Sequence, residues 1–241
     1  MDEDRAATRA KLSTGEVYEA LRAQILANRI PPGTRVNIEA VSRELGVSPT
    51  PVREALHRLQ GDNLVVATSG RGYSTTALLD LAGLRELFEF RLLVEPWAAR
   101  SVAVDRLENP ARRMARELDE FEAKVGETVD IRQDLVSHDA RFHDLILSAT
   151  GNRVVQGAYA QTHCHLHIFR LYPADIGGEI THNEHRAVWE AIRDCDAARA
   201  EEAMRQHLTE AFMRFAQAFE DGQSQGIQLR QSASPRTHMS S

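Results

Sequence analysis

Asn37-Ile-Glu-Ala-Val-Ser-Arg-Glu-Leu-Gly-Val-Ser-Pro-Thr-Pro-Val-Arg-Glu-Ala-Leu-His-Arg-Leu-Gln-Gly61 holds two short helices and the turn between them. Asn37 is an N-cap residue type, and the helix it opens runs to Leu45. Gly46 stands where a left-handed C-terminal residue belongs. Ser48 opens a second helix, with Pro49 and Pro51 in its first turn, where a missing N–H costs little. Val52, Leu56 and Leu59 give that helix an apolar stripe, and Gly61 closes it. Two short helices joined through Leu-Gly-Val-Ser form a helix-turn-helix.

The flanks extend the unit. Ser13 and Glu16 have capping-box spacing, and Val17, Leu21, Ile25 and Leu26 follow at helical intervals. Pro31-Pro32-Gly33 ends that helix. Downstream, Leu64–Thr68 reads as a strand, Ser69–Gly72 as a tight turn and Tyr73–Thr75 as a returning strand, so the hairpin is a wing with Arg71 at its tip. A recognition helix enters the major groove by its N-terminal residues. Ser48 and Thr50 suit phosphates or base edges, and Arg53 lies off the apolar stripe and suits guanine. Arg43 and Arg58 are placed for phosphates, Arg58 equally for a solvated surface role. Arg71 and Gly72 of the wing reach the minor groove or backbone.

Charge is divided along the chain. Residues 1–78 carry 10 Lys/Arg and 9 Asp/Glu; residues 80–221 carry 17 and 26. With 241 residues, 42% of them hydrophobic, the chain has room for two folded domains. The expected organisation is a flexible N-terminus (1–11), a winged helix-turn-helix (12–77), a helical domain (78–221) and a disordered tail (222–241). There is no apolar run of 18 residues, and the charged opening lacks the apolar core of a secretory signal. Two isolated cysteines, Cys164 and Cys195, make no disulfide framework and read as buried small apolar residues. The expected location is the cytoplasm.

Residues 77–221 show almost no strand pattern. Helices are expected near 80–105 (bent or split at Pro96), 110–125, 131–149, 152–171, 180–194 and 196–220. Asp139 and His143, i and i+4, share a helix face. With His185 and His207 they offer three imidazoles and a carboxylate, a set suited to zinc, nickel or manganese. Ten histidines are available, however, and a histidine satisfied in a core or in solvent is the commoner fate. His163, His165 and His167 splay apart in one continuous helix, with room for one to line a cavity. His182 is an alternative ligand to His185, and His138 points away from the group.

Leu45–Leu56 with Arg58-Leu59, the Gly70-Arg-Gly72 wing and the preceding Pro-Pro-Gly-Thr resemble the GntR family of bacterial regulators over about residues 12–76. Pro49 stands where members often have Arg, which removes one DNA contact. Asn63 stands where they often have Gly, and Asn tolerates the left-handed turn. Leu87-x-x-x-Arg91-x-x-x-Glu95, Asp139-Ala-Arg-Phe-His143, Thr150-Gly-Asn152, Glu184-His185 and Ala203-Met204-x-x-His207-Leu208 resemble, in order, the FCD domain, the helical sensor of the FadR subfamily.

The resemblance implies a mainly α protein: a winged helix-turn-helix with a small β-hairpin, followed by an all-α bundle of six or seven helices. It implies a homodimer on double-stranded DNA with a palindromic operator, with no enzymatic activity. It also implies a divalent metal, zinc first and nickel or manganese as alternatives, on Asp139, His143, His185 and His207. A small organic acid would bind the open metal position and shift affinity for the operator by population shift. Arg91 is either a second anchor for the acid's carboxylate or an i,i+4 partner of Glu95. A metal-responsive regulator, a structural metal and a helical metalloenzyme with an accessory DNA-binding domain are the competing readings.

Overall fold

A computed structural model describes residues 12–125, 131–171 and 177–231. The chain divides into two compact units at Leu78/Leu79.

The first unit opens with α1 (Thr14–Leu26). Its capping box closes as the spacing requires: Glu16 N–H donates to Ser13 Oγ (3.3 Å) and Ser13 N–H to Glu16 Oε2 (2.7 Å). α2 (Ile38–Leu45) is capped by Asn37, whose side chain accepts from the N–H groups of Glu39 and Ala40, and ends on Gly46 at φ 67°. α3 (Pro49–Gly61) packs on α1 and α2. Its Val52, Leu56 and Leu59 meet a core that includes Val17, Leu21 and Ile25, all fully buried. Burial of that kind stabilises by roughly 1.5–3 kcal/mol per side chain. Asn63 takes φ 56° and releases the chain into the hairpin. There β1 (Val65–Thr68) pairs antiparallel with β2 (Gly72–Thr75), from Val65 opposite Thr75 to Thr68 opposite Gly72. The segment before α2 adds a third, irregular rung, since Arg35 bridges Ser74.

The second unit is all helix: α4 (Leu81–Val104), α5 (Ala111–Glu122), α6 (Arg132–Ala149), α7 (Arg153–Ala160), α8 (Cys164–Phe169), α9 (Glu179–Arg193) and α10 (Ala197–Gln231). α4 is the central element, packed on α6, α9 and α10. It runs unbroken through Pro96, where the sequence suggests a bend or split. The ring removes one ladder bond, but Ala98, Ala99, Val102 and Ala103 bury the turns that follow. α10 continues to Gln231, past residue 222 where a tail is expected; residues 232–241 lie outside the described residues.

The segment expected as one helix over 152–171 is two. Thr162 is the cause: its hydroxyl donates to Tyr159 O (2.7 Å) and accepts from Cys164 N–H (3.3 Å). These local bonds replace the helical ladder, and His163 turns left-handed at φ 46°. Cys164 is buried as expected. Cys195 is only partly covered and sits at φ 57° in the α9–α10 turn.

Candidate metal centre and nucleic-acid interface

One turn of α6 places Asp139 and His143 on the same buried face; α9 supplies His185 and α10 supplies His207. Each offers one ligand atom, and the four atoms lie within 4.8 Å of one another. None of the four residues is more than 4% exposed. Asp139 Oδ1 is 3.6 Å from His143 Nε2 and 3.4 Å from His185 Nε2. The Nε2 atoms of His185 and His207 are buried with no hydrogen-bond partner among the described residues. Unmet polar atoms in a core are costly, and two of them aimed at one carboxylate fit a divalent cation.

The far side of each of these four side chains is held. His207 Nδ1 pairs with Glu184 Oε2 at 2.8 Å, and Arg214 grips the same carboxylate. His143 Nδ1 contacts Glu95 Oε2. His185 Nδ1 is 2.9 Å from His138 Nε2, and His138 Nδ1 is 2.9 Å from Glu117 Oε1. Asp139 Oδ2 lies 2.5 Å from His165 Nδ1, so Oδ1 is the oxygen left facing the histidines. Outer partners of this kind orient metal ligands and fix their tautomers.

Protonation follows from these surroundings. Burial pushes His185 and His207 well below the ordinary imidazole range, so both stay neutral with a lone pair to donate. Burial opposes charge on Asp139 too, but His165, His143 and His185 outweigh it and hold the carboxyl well below its usual value. His143 is raised, because Glu95 and Asp139 overcome the burial. Against the same burial, Cys164 and Asp139 lift His165 to about 10.

Arg91 reaches this centre from α4, almost fully buried. Its Nε donates to Glu95 Oε1 at 2.5 Å and its Nη2 lies 3.3 Å from His143 Nε2. Tyr159 donates to the same Glu95 oxygen at 2.7 Å. His182, one turn before His185, lies near Phe121 and is not one of the four.

In the first unit, Ser48 sits at the α3 N-cap without a side-chain cap bond, so its hydroxyl is not used by the helix. Arg43, Thr50, Arg53, Arg71 and Gly72 are all exposed. Arg53 and Gly72 line one cleft of about 610 Å³ between the start of α3 and the wing. Arg58 lies with its guanidinium 4.1 Å from the centre of the Tyr18 ring, so its charge is presented from a fixed place on α3.

Residues 13–74 match the bacterial regulatory proteins of the gntR family, and residues 86–210 match the FCD domain. The chain belongs to the GntR family of regulators with an FCD domain. Similar curated proteins are the HTH-type transcriptional regulator YdhC of Bacillus subtilis, 25% identical over 82% of this chain and 86% of that protein, and the HTH-type transcriptional repressor RspR of Escherichia coli, 25% identical over 81% and 85%. Among solved structures, a GntR regulator from Rhodococcus sp. RHA1 superimposes with a TM-score of 0.63 at 21% identity, covering 85% of this chain and 98% of that one. E. coli McbR/YncC gives 0.62 at 16% identity, covering 86% and 98%, which shows the shared fold. The protein is therefore a DNA-binding transcription regulator and not an enzyme. No helix among the described residues is long and apolar enough to cross a membrane.

Three side chains join the sites of this GntR–FCD protein without being singled out by the sequence. His138, read as pointing away, bonds directly to His185, because α6 and α9 pack with the 138/142 face inward. His165 reaches Asp139 from α8, which the break at Thr162 and His163 separates from α7. Arg35, in what reads as a loop, lies in the extended rung beside β2 and lines the cleft with Arg53. A Cβ on Gly72 would fall 3.9 Å from Arg35 Nη2.

Proposed function

We propose that this regulator binds zinc or a related divalent ion through Asp139, His143, His185 and His207, and represses transcription until a small organic acid binds beside the ion. The carrying observation is the pair of buried Nε2 atoms on His185 and His207 that have no hydrogen-bond partner among the described residues, in a group whose four ligand atoms lie within 4.8 Å of one another. Such an ion supplies an open Lewis-acid position that favours a carboxylate or hydroxy-acid oxygen. His143 Nε2 is the third nitrogen of the set, and in this structure Arg91 Nη2 leans on it. Turned away from that nitrogen, the guanidinium keeps its Nε bond to Glu95 and presents its remaining N–H groups to a carboxylate. Arg91 thus serves both as partner of Glu95 and as anchor for the acid.

On the DNA side the protein acts as a homodimer on a palindrome. Arg53, Ser48 and Thr50 face base edges; Arg43, Arg58 and the added Arg35 face phosphates; Arg71 and Gly72 carry the wing contact. Acid binding moves the population toward a form with lower operator affinity.

The test is metal content and acid response together. Zinc is expected to bind the native protein tightly and to be lost in the Asp139→Ala/His143→Ala double variant, with an organic-acid panel raising thermal stability only of the zinc-loaded protein. Full zinc occupancy in the double variant refutes the site.

A further inference from the structure

We propose that Glu117, acting through His138, fixes the tautomer of His185 and so presets it for metal, an inference that rests on the metal reading above. A metal takes the neutral ring of His185, which carries one proton, and two places compete for that proton. On the Nε2 side Asp139 Oδ1 stands 3.4 Å away, outside hydrogen-bonding geometry in this structure; on the Nδ1 side His138 Nε2 lies within a hydrogen bond at 2.9 Å. A proton on Nε2 would occupy the lone pair a metal needs. A proton on Nδ1 leaves Nε2 free.

The chain of hydrogen bonds decides between them. Glu117 Oε1 only accepts, and it lies 2.9 Å from His138 Nδ1, so that nitrogen carries the proton of His138. His138 Nε2 is then an acceptor and draws the His185 proton to Nδ1. Arg141 holds the far end, donating from Nε to Glu117 Oε2 (2.7 Å) and from Nη2 to Oε1 (2.9 Å), which holds the carboxylate in place. Phe121 lies parallel to the His138 ring with centroids 4.1 Å apart, and Phe142 lies likewise on His185 at 3.9 Å, so neither ring can turn to exchange its nitrogens. The relay spans α5, α6 and α9. It makes His138 and Glu117 positioning residues, not ligands.

The experiment reads the imidazole ¹⁵N shifts of His185 in metal-free protein and zinc affinity by chelator competition. The wild type is expected to show His185 protonated on Nδ1. His138→Phe keeps the stack with Phe121 and removes the acceptor; Glu117→Met removes the terminal acceptor at similar length. Either one should move the proton to Nε2 and weaken zinc binding about 10–100-fold. Arg141→Met leaves the acceptor and should keep the wild-type tautomer. His185 still protonated on Nδ1 in both relay variants, or zinc affinity within about twofold of wild type, overturns the proposal. A wild type that shows the expected tautomer, lost in the variants, yet binds no zinc overturns the metal reading and leaves the relay standing.

Discussion

Replacing His207 by Leu should have opposite consequences with and without metal. His207 is 3% exposed; its Nε2 has no partner among the described residues and its Nδ1 pairs with Glu184. In metal-free protein the substitution removes a buried unmet acceptor that costs about 1–3 kcal/mol, and gives up a bond to a carboxylate that contributes about 1.5–3 kcal/mol. Arg214 still covers Glu184, so the two effects nearly cancel and stability changes by about 1 kcal/mol or less. With zinc at a hundred times its dissociation constant, the wild type gains about 2.7 kcal/mol that a three-ligand site forfeits. For a domain of this size that corresponds to roughly 5–10 °C in melting temperature. Thermal unfolding of both proteins, stripped and zinc-loaded, reads the difference. An equal loss of stability in both states would show that His207 is a packing residue and refute the reasoning.

Metal-free protein should lose stability as pH falls from about 6 to about 5. Folding holds His185 and His207 below the ordinary value of 6.5, so the folded state resists protons that the unfolded chain takes up; stability is complete above 6.5 and declines below it. His143 and His165 are raised, so their contribution runs the opposite way and grows as pH falls to about 6.5; it is complete below that value, where the loss on His185 and His207 continues; a flat melting curve between about 6 and 5 contradicts the assignment. Arg53→Ala should weaken operator binding by about 1–3 kcal/mol and relax the preference at one base pair, whereas Arg71→Ala should weaken all sequences alike and reduce the salt slope by about 1. Sequence-selection and salt-titrated binding assays separate these outcomes, and identical profiles for the two variants would undo the division of roles. Gly178→Ala should destabilise the helical unit by about 2–5 kcal/mol, since the backbone is left-handed (φ 74°) and a Cβ would fall 2.7 Å from Ile131 Cδ1 and Phe121 Cζ. A melting temperature within about 1 °C of wild type means that the helix start shifts freely.

The winged unit was legible because its punctuation is local: a capping box, Asn37, Gly46 and Asn63 each act on backbone within a few residues. The buried Asp/His cluster was half legible. Asp139 and His143 are coupled by helical spacing, but His185 and His207 come from other helices, and nothing local distinguishes them among ten histidines. The outer partners were hidden for different reasons. His165 depends on Thr162 diverting two hydrogen bonds from the ladder, a choice the continuous apolar pattern of 152–171 conceals. His138 and Glu117 meet through the packing of α5 against α6, a tertiary fact. Arg35 becomes part of a site only through its pairing with Ser74.

The most direct test is a mobility-shift titration of the purified protein on its upstream intergenic DNA at fixed salt, comparing zinc-loaded protein, metal-stripped protein and the Asp139→Ala/His143→Ala variant, each with and without the organic-acid panel. The account predicts specific binding that an acid weakens only in the zinc-loaded native protein. An acid that weakens all three alike, or none, would contradict it.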